Sequence, residues 1–193
     1  MRLDLLRNIG ITLLLVSLIV PSIVYLPLLK HEVVYQIRQV QPTPKITTFE
    51  SKYPEFGLVI PKLDINAKVI PDIDSQNSAI YQKALTQGVA HAEGTATPLE
   101  KGTIFIFAHS SASFLEAMRY NSIFYLLPKL EVGNPILLYY QGKQYQYLVT
   151  EKKIVDPTDN QYLTTHTEDR LVLMTCYPPG LNSKRFIVIA KPH

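Results

Sequence analysis

The 193-residue sequence predicts a mainly β protein: a closed or nearly closed barrel of about eight strands with short helices, preceded by an N-terminal transmembrane helix. Short runs rich in β-branched and aromatic residues, separated by turns that contain Pro or Gly, favour the barrel. An uncharged segment near the N-terminus favours the membrane helix. We therefore expect three parts: a membrane anchor over 1–30, a linker over 31–52 and a folded domain over 53–193.

The anchor prediction depends on Asn8 to Leu29, which carries no charged residue over 22 positions. That length is enough for a helix to cross a hydrocarbon core of about 30 Å. Because a short basic N-terminus usually stays inside, we expect the rest of the chain outside. A cleaved signal peptide is an alternative, but no A-x-A-like site follows the run. A buried core helix is the other alternative, but 22 uncharged residues are too many for an amphipathic face.

The segment His31 to Lys52 is polar and contains Pro42 and Pro44 in a P-x-P pattern. It is typical of a stiff spacer that holds a domain off a membrane. The formal net charge of the protein is +3, and the first 52 residues, with six Lys/Arg against three Asp/Glu, carry all of it. The rest of the chain has thirteen of each, so no basic face for nucleic acid is expected.

Within the folded domain, patterning predicts elements in the following order. A first pair of strands covers Phe56 to Ile60 and Ala67 to Ile70, and Asp74 to Asn77 cap a helix from Ser78 to Thr86. The helix residues expected to face the core are Ala79, Ile80, Ala84 and Leu85. The later predictions are a turn-rich connection over 88–102, a buried strand over 102–109, a helical turn with irregular structure over 114–127, a hairpin of 135–140 with 144–150, a polar loop or short edge strand over 154–162, and two last strands over 171–175 and 186–190.

The single cysteine, Cys176, closes one of the last two runs, and Arg185 opens the other. If these runs pair side by side, the thiol and the guanidinium meet at the same end of the sheet. A thiol beside a fixed positive charge is suited to nucleophilic chemistry. A buried, inert cysteine that acts as a small hydrophobe is the alternative interpretation.

Acyl transfer by a thiol also needs a proton shuttle and a donor for the negative oxygen of the intermediate. His109, at the end of the strand GTIFIFAH, could move the proton, and Arg185 could hold the oxygen. His91 is the rival base; His166 and Lys184 are expected to be solvated. Cys176 and the histidines lack the spacing of metal ligands. Four carboxylates are candidate calcium ligands, namely Glu93, Glu100, Asp156 and Asp159, but we predict neither a metal site nor a cofactor.

Three stretches in order, GVAHAEGTATPLEKGTIFIFAHSS, LMTC and RFIVIA, resemble the sortases, the membrane-anchored cysteine transpeptidases of bacteria. The resemblance covers about Gly57 to Lys191. It implies an eight-stranded sortase barrel in which Cys176 is the nucleophile and His109 the general acid and then base. It also implies that Arg185 positions the substrate and stabilises the oxyanion, and that Thr175 helps orient the substrate. The stretch TCYP resembles class D sortases.

The implied reaction cleaves a sorting signal of the LPxTG type between Thr and Gly, keeps the acyl part as a thioester, and passes it to an amine. The implied partners are surface proteins with a C-terminal sorting signal and an amine acceptor, either a cell-wall peptide or a pilin lysine. The implied location is the bacterial cell membrane, single-pass, with the catalytic domain outside. Two alternatives stay open: a cysteine peptidase that releases its product to water, and a catalytically inactive surface-binding domain.

Overall fold

The computed structural model describes residues 7–8, 10–11, 13–17, 32–33, 36, 49–110, 122–163, 168–179 and 183–193. The chain divides into two compact units, Met1–Thr43 and Pro44–His193. All described residues of the first unit are helical. Nowhere in the described part of the chain does a helix have the length and apolarity needed to cross a membrane. Most of the predicted anchor segment lies outside the described residues, so the anchor stays a prediction.

The second unit is a closed barrel of eight strands, as the patterning predicted. The strands are β1 (Phe56–Ile60), β2 (Ile65–Ile73), β3 (Val89–Ala92), β4 (Thr103–Phe107), β5 (Pro135–Tyr140), β6 (Lys143–Val155), β7 (Arg170–Tyr177) and β8 (Lys184–Pro192). Their order around the barrel is β1-β2-β3-β4-β7-β8-β6-β5. The pairs β2–β3 and β4–β7 are parallel, and the other pairs are antiparallel.

Two strands differ from the prediction although the number of strands agrees. Strand β3 (Val89–Ala92) lies in the segment predicted as a connection, and its four residues are all buried. The run predicted near Ile154 is instead the end of β6, which has 13 residues and pairs first with β5 and then with β8. The register of β6 shifts between Val149 and Glu151. Such a bulge bends a strand without ending it, so the strand predicted over 144–150 continues to Val155, the second residue of the segment predicted as a polar loop or a short edge strand.

The one α-helix among the described barrel residues, α1, spans Ser78–Leu85. Asn77 caps its N-terminus with a side chain that accepts a hydrogen bond from the Ile80 backbone N–H. Short 3-10 turns cover Pro61–Leu63, Leu127–Lys129 and Asn160–Tyr162. Ala84 and Leu85 are buried as predicted, but Ala79 is exposed and Ile80 is 45% exposed. The face that packs is Tyr81, Ala84 and Leu85, at the i, i+3, i+4 spacing of one helix side. The Tyr81 ring meets Phe107 of β4 edge-on, with 6.2 Å between ring centroids.

The strands that lead to the predicted site are among the most buried parts of the barrel. All five residues of β4 are buried, and so are the three residues from Leu171 to Leu173 of β7. At the start of this pair, Arg170 Nε donates to Thr103 Oγ1 at 3.0 Å and the Gly102 N–H donates to Asp169 Oδ1 at 2.9 Å. The parallel register of β4 and β7 is therefore fixed at one end by side chains and along its length by the core.

The chain contacts the barrel from Phe49, four residues before the predicted start of the domain at Tyr53. The Asn66 side chain donates to the Glu50 carbonyl and accepts from the Lys52 N–H, both at 3.2 Å. The phenol of Tyr139 donates to the Phe49 carbonyl. Residues 49–52 are thus part of the folded unit and not of a free spacer.

Candidate active site

Cys176 of β7 and Arg185 of β8 lie directly opposite each other in the antiparallel pair. Directly opposed residues share a face of the sheet, with Cβ atoms about 4.5–5.5 Å apart. Both residues are partly exposed. The two runs therefore pair side by side, and the two residues lie opposite each other at the same end of the sheet. The alternative of a cysteine sealed in the core does not agree with this exposure.

His109 comes to the same place through the pairing of β4 with β7. Phe107 is the register partner of Met174, and the Ala108 N–H continues the pairing by donating to the Met174 carbonyl at 3.2 Å. Continued by two residues, this register sets the backbone of His109 beside Cys176. The His109 side chain is partly exposed. One rim of the barrel thus carries Cys176 on β7, Arg185 on β8 and His109 two residues after the end of β4.

Two hydrogen bonds hold the backbone around His109. The Thr175 hydroxyl donates to the Ala108 carbonyl at 2.9 Å, and the Phe124 N–H donates to the His109 carbonyl at 3.2 Å. The Phe124 side chain is fully buried, so its backbone is well fixed. The hydrogen bond from Phe124 could not be predicted from the sequence around His109, because its donor is a backbone N–H 15 residues further along the chain. Only the burial expected of an aromatic side chain could have drawn attention to it.

Thr175 is a buried residue of β7. Its side chain is 2% exposed, and its hydroxyl already donates to the Ala108 carbonyl. Successive side chains in a strand point to opposite faces, so Thr175 points away from the face of Cys176. The hydroxyl of Thr175 is therefore in contact with the protein backbone, and the substrate-orienting role that the resemblance implies stays a prediction.

Arg185 lies between β7 and β6, because its partners are Cys176 on one side and Val155 on the other. Its Nη1 donates to the Lys184 carbonyl at 3.1 Å. Lys184, expected to be solvated, is exposed but forms an ion pair with Asp156, with 2.6 Å between Nζ and Oδ1. The two cations are consecutive in one strand and therefore point to opposite faces, and only Arg185 shares the face of Cys176.

His91, the rival base, is 1% exposed and lies in β3 opposite Ile106. Its Nε2 lies 3.0 Å from both the Ala96 carbonyl and the Thr95 hydroxyl oxygen. Because the Thr95 hydroxyl donates its own proton to the Ala92 carbonyl, we assign the imidazole proton to Nε2. Burial lowers the pKa of His91, against the opposing effects of the Ala96 hydrogen bond and the charges of Asp72 and Glu100. This histidine is a structural group inside the barrel.

His166 lies outside the described residues. Among the residues that the structure describes, no group of three or more His, Cys, Asp and Glu side chains could hold a metal ion. Three of the carboxylates considered for calcium are engaged locally: Glu100 accepts from Thr97, Asp156 pairs with Lys184, and Asp159 accepts from Gln161. The site as described consists of a thiol, an imidazole and a guanidinium.

Known proteins resemble this chain in sequence and in fold. The family model of the sortase domain matches residues 58–193. The chain is 28% identical over 138 residues to Sortase D of Bacillus subtilis (strain 168). The aligned region covers 69% of this chain and 61% of that protein. It is 25% identical over 135 residues to Sortase A of Listeria monocytogenes serovar 1/2a, covering 70% of this chain and 54% of that protein.

The fold is similar to the solved structure of Sortase A from Corynebacterium diphtheriae, with a TM-score of 0.60 and 25% identity over 72% of this chain and 60% of that one. In each comparison the matched region spans less than two thirds of the relative's own length. The family match covers most of this chain and includes all eight strands except the start of β1. The chain belongs to the sortase family.

Proposed function

We propose that the protein is a cysteine transpeptidase that cleaves an LPxTG-like sorting signal and joins the acyl fragment to an amine at the cell surface. The observation that carries this proposal is the cross-strand pair of Cys176 and Arg185, with the backbone of His109 in register beside the cysteine. The three side chains supply a nucleophile, a cation for a developing negative charge and a group that moves protons. Membership of the sortase family supports the same chemistry.

In the first half-reaction, the Cys176 thiolate attacks the carbonyl carbon of the Thr–Gly bond. The carbonyl oxygen becomes negative and Arg185 stabilises it; a single such donor is worth about 10²–10³-fold in rate. The C–N bond then breaks, and the protonated His109 gives its proton to the leaving amine. General acid catalysis of this kind contributes about 10²–10⁴-fold. The acyl fragment stays on the sulfur as a thioester.

In the second half-reaction, the amine of a cell-wall peptide or a pilin lysine attacks the thioester. His109 takes a proton from the attacking nitrogen, and Cys176 leaves as the thiolate, which restores the starting state. The reaction as written uses no cofactor. The substrate protein carries the sorting signal at its C-terminus, and the stretch TCYP together with the similarity to a protein named Sortase D favours a class D-like enzyme.

We place the protein in the bacterial cell membrane as a single-pass protein with the catalytic domain outside. The uncharged run from Asn8 to Leu29 and the sortase resemblance support this placement. Protease added to intact bacteria should digest the catalytic domain. If the domain resists digestion until the cells are lysed, this location is wrong.

The activity is tested with the full-length chain in detergent and an LPxTG peptide that carries a fluorophore and a quencher on either side of the Thr–Gly bond. With triglycine present, we expect a ligated product; without it, slower release of the hydrolysed product. Cys176→Ala should abolish both products and leave the thermal unfolding temperature nearly unchanged, since the thiol is partly exposed.

Two results would replace the proposal by its alternatives. Hydrolysed product alone, with and without triglycine, would indicate a cysteine peptidase. A lack of cleavage across a peptide library, with Cys176 alkylated no faster than free cysteine, would indicate an inactive surface-binding domain.

A further inference from the structure

The strand that leads to His109 ends two residues before it. Strand β4 ends at Phe107, and the connecting residue Ala108 sends both of its backbone polar groups to β7. Its N–H donates to the Met174 carbonyl at 3.2 Å, and its carbonyl accepts from the Thr175 hydroxyl at 2.9 Å. The Thr175 side chain thus extends the pairing of β4 with β7 by one residue beyond the end of β4.

Thr175 immediately precedes Cys176, and Ala108 immediately precedes His109, so the bond connects the residues adjacent to the thiol and the imidazole. It is also screened from water, because Ala108 is 5% exposed and Thr175 is 2% exposed. A buried carbonyl that loses its donor must move toward another one, since an unpaired polar group in the interior is costly.

We propose that Thr175 is a positioning residue that aligns the His109 imidazole with the Cys176 thiol and does not contact the substrate. This inference rests on the proposed function, because it assigns His109 the transfer of the proton. Movement of Ala108 would carry His109 with it, and a misplacement of about 1 Å in a catalytic group can cost about 10²-fold in rate. The covalent steps stay those given above.

The test compares three variants of the full-length protein. Thr175→Val removes the hydroxyl and keeps the branched shape, whereas Thr175→Ser keeps the hydroxyl. The matched control is Thr103→Val: Thr103 is 0% exposed, lies at the opposite end of the same β4–β7 pair, and accepts from Arg170 Nε at 3.0 Å. Both valine variants lose a buried threonine hydroxyl, but only one of them is beside the site.

We expect Thr175→Val to lower kcat by about 10- to 100-fold with KM changed less than about twofold. Thr175→Ser should restore most of kcat, and Thr103→Val should lower the unfolding temperature and leave kcat near that of the wild type. The rate of Cys176 alkylation as a function of pH should shift in Thr175→Val alone, since the imidazole and the thiol influence each other's charge.

The inference is overturned if Thr175→Val raises KM without lowering kcat, which would indicate a substrate contact. It is also overturned if Thr103→Val lowers kcat as much as Thr175→Val, or if the alkylation profile does not shift. The alkylation experiment uses no peptide and separates the two proposals. If the alkylation profile of Thr175→Val shifts but the wild-type protein turns over no peptide, the positioning role is supported and the proposed function is rejected. If the profile does not shift but the wild-type protein is active, the proposed function is supported and the positioning role is rejected.

Discussion

Arg185 offers the sharpest test of the site, because its effect on the reaction and its effect on folding differ in size. Arg185→Ala removes the guanidinium opposite Cys176. An oxyanion donor is worth about 10²–10³-fold in kcat, or about 2.7–4 kcal/mol of the activation barrier. Arg185 is partly exposed near the start of β8, and substitutions at such strand positions change stability by about 1 kcal/mol or less. We therefore expect a large loss of turnover in a protein that still folds.

Lys184→Ala is the matched control for Arg185→Ala. Both variants remove one positive charge from the same strand, but Lys184 lies on the opposite face and pairs with Asp156. An exposed ion pair of this kind contributes about 0–1 kcal/mol. We expect Lys184→Ala to keep kcat within a few fold of the wild type. The contrast between the two variants separates a local effect at the oxyanion from a general effect of net charge.

The assay is initial-rate cleavage of the quenched LPxTG peptide, with urea unfolding of each variant measured in parallel. The rate is divided by the folded fraction, so that a loss of protein is not counted as a loss of catalysis. Intact specific activity in a destabilised Arg185→Ala protein would refute the oxyanion role. An equal loss of kcat in Lys184→Ala would show that the charge of the strand matters and not the position of the guanidinium.

Two further predictions concern the barrel. Burial lowers the pKa of His91, so the unfolded chain binds a proton on this side chain at a higher pH than the folded chain does. The free energy of unfolding should therefore fall as the pH drops below about 6.5, by at most about 1.4 kcal/mol per pH unit. His91→Gln should flatten this pH dependence, measured by urea unfolding at pH 7.5 and pH 5. An unchanged slope in the variant would contradict this. Gly88→Ala would place a Cβ 2.2 Å from the Lys68 carbonyl oxygen, so the backbones of β2 and β3 must separate. We expect the free energy of unfolding, measured by thermal unfolding, to fall by about 1–3 kcal/mol. An unfolding temperature equal to that of the wild type would show that the contact relaxes freely.

The sequence predicts those elements whose own residues determine their structure. The run from Phe56 to Ile60 is β1 with the predicted bounds, and the strong β runs before His109 and Cys176 are strands. Apolar, β-branched runs bury well on both faces of a sheet, so their composition is enough. Each of the three candidate residues stands where such a run begins or ends, which is why the sequence alone draws attention to them.

Other elements depend on their neighbours. The four residues of β3, VAHA, are too short and too weakly β-forming to be recognised, and they are a strand because β2 and β4 pair with them on either side. The burial of Thr175 follows from the end of β4, which lies 68 residues earlier in the chain. No local pattern contains that information. Pairing across the barrel therefore accounts both for the strand that the sequence does not predict and for the burial of Thr175.

The order of the strands explains why this fold can bring the three groups together. Strands β4 and β7 are parallel neighbours, so their C-terminal ends lie at the same rim, with His109 following one and Cys176 near the end of the other. Strand β8 is antiparallel to β7, so it must begin at that rim, where Arg185 is its second residue. If β4 ran antiparallel to β7 over the same residues, His109 would lie beyond the far end of the strand pair, about eight residues or about 26 Å from Cys176. The parallel β4–β7 pair is thus the feature of the barrel that makes an imidazole beside the thiol possible.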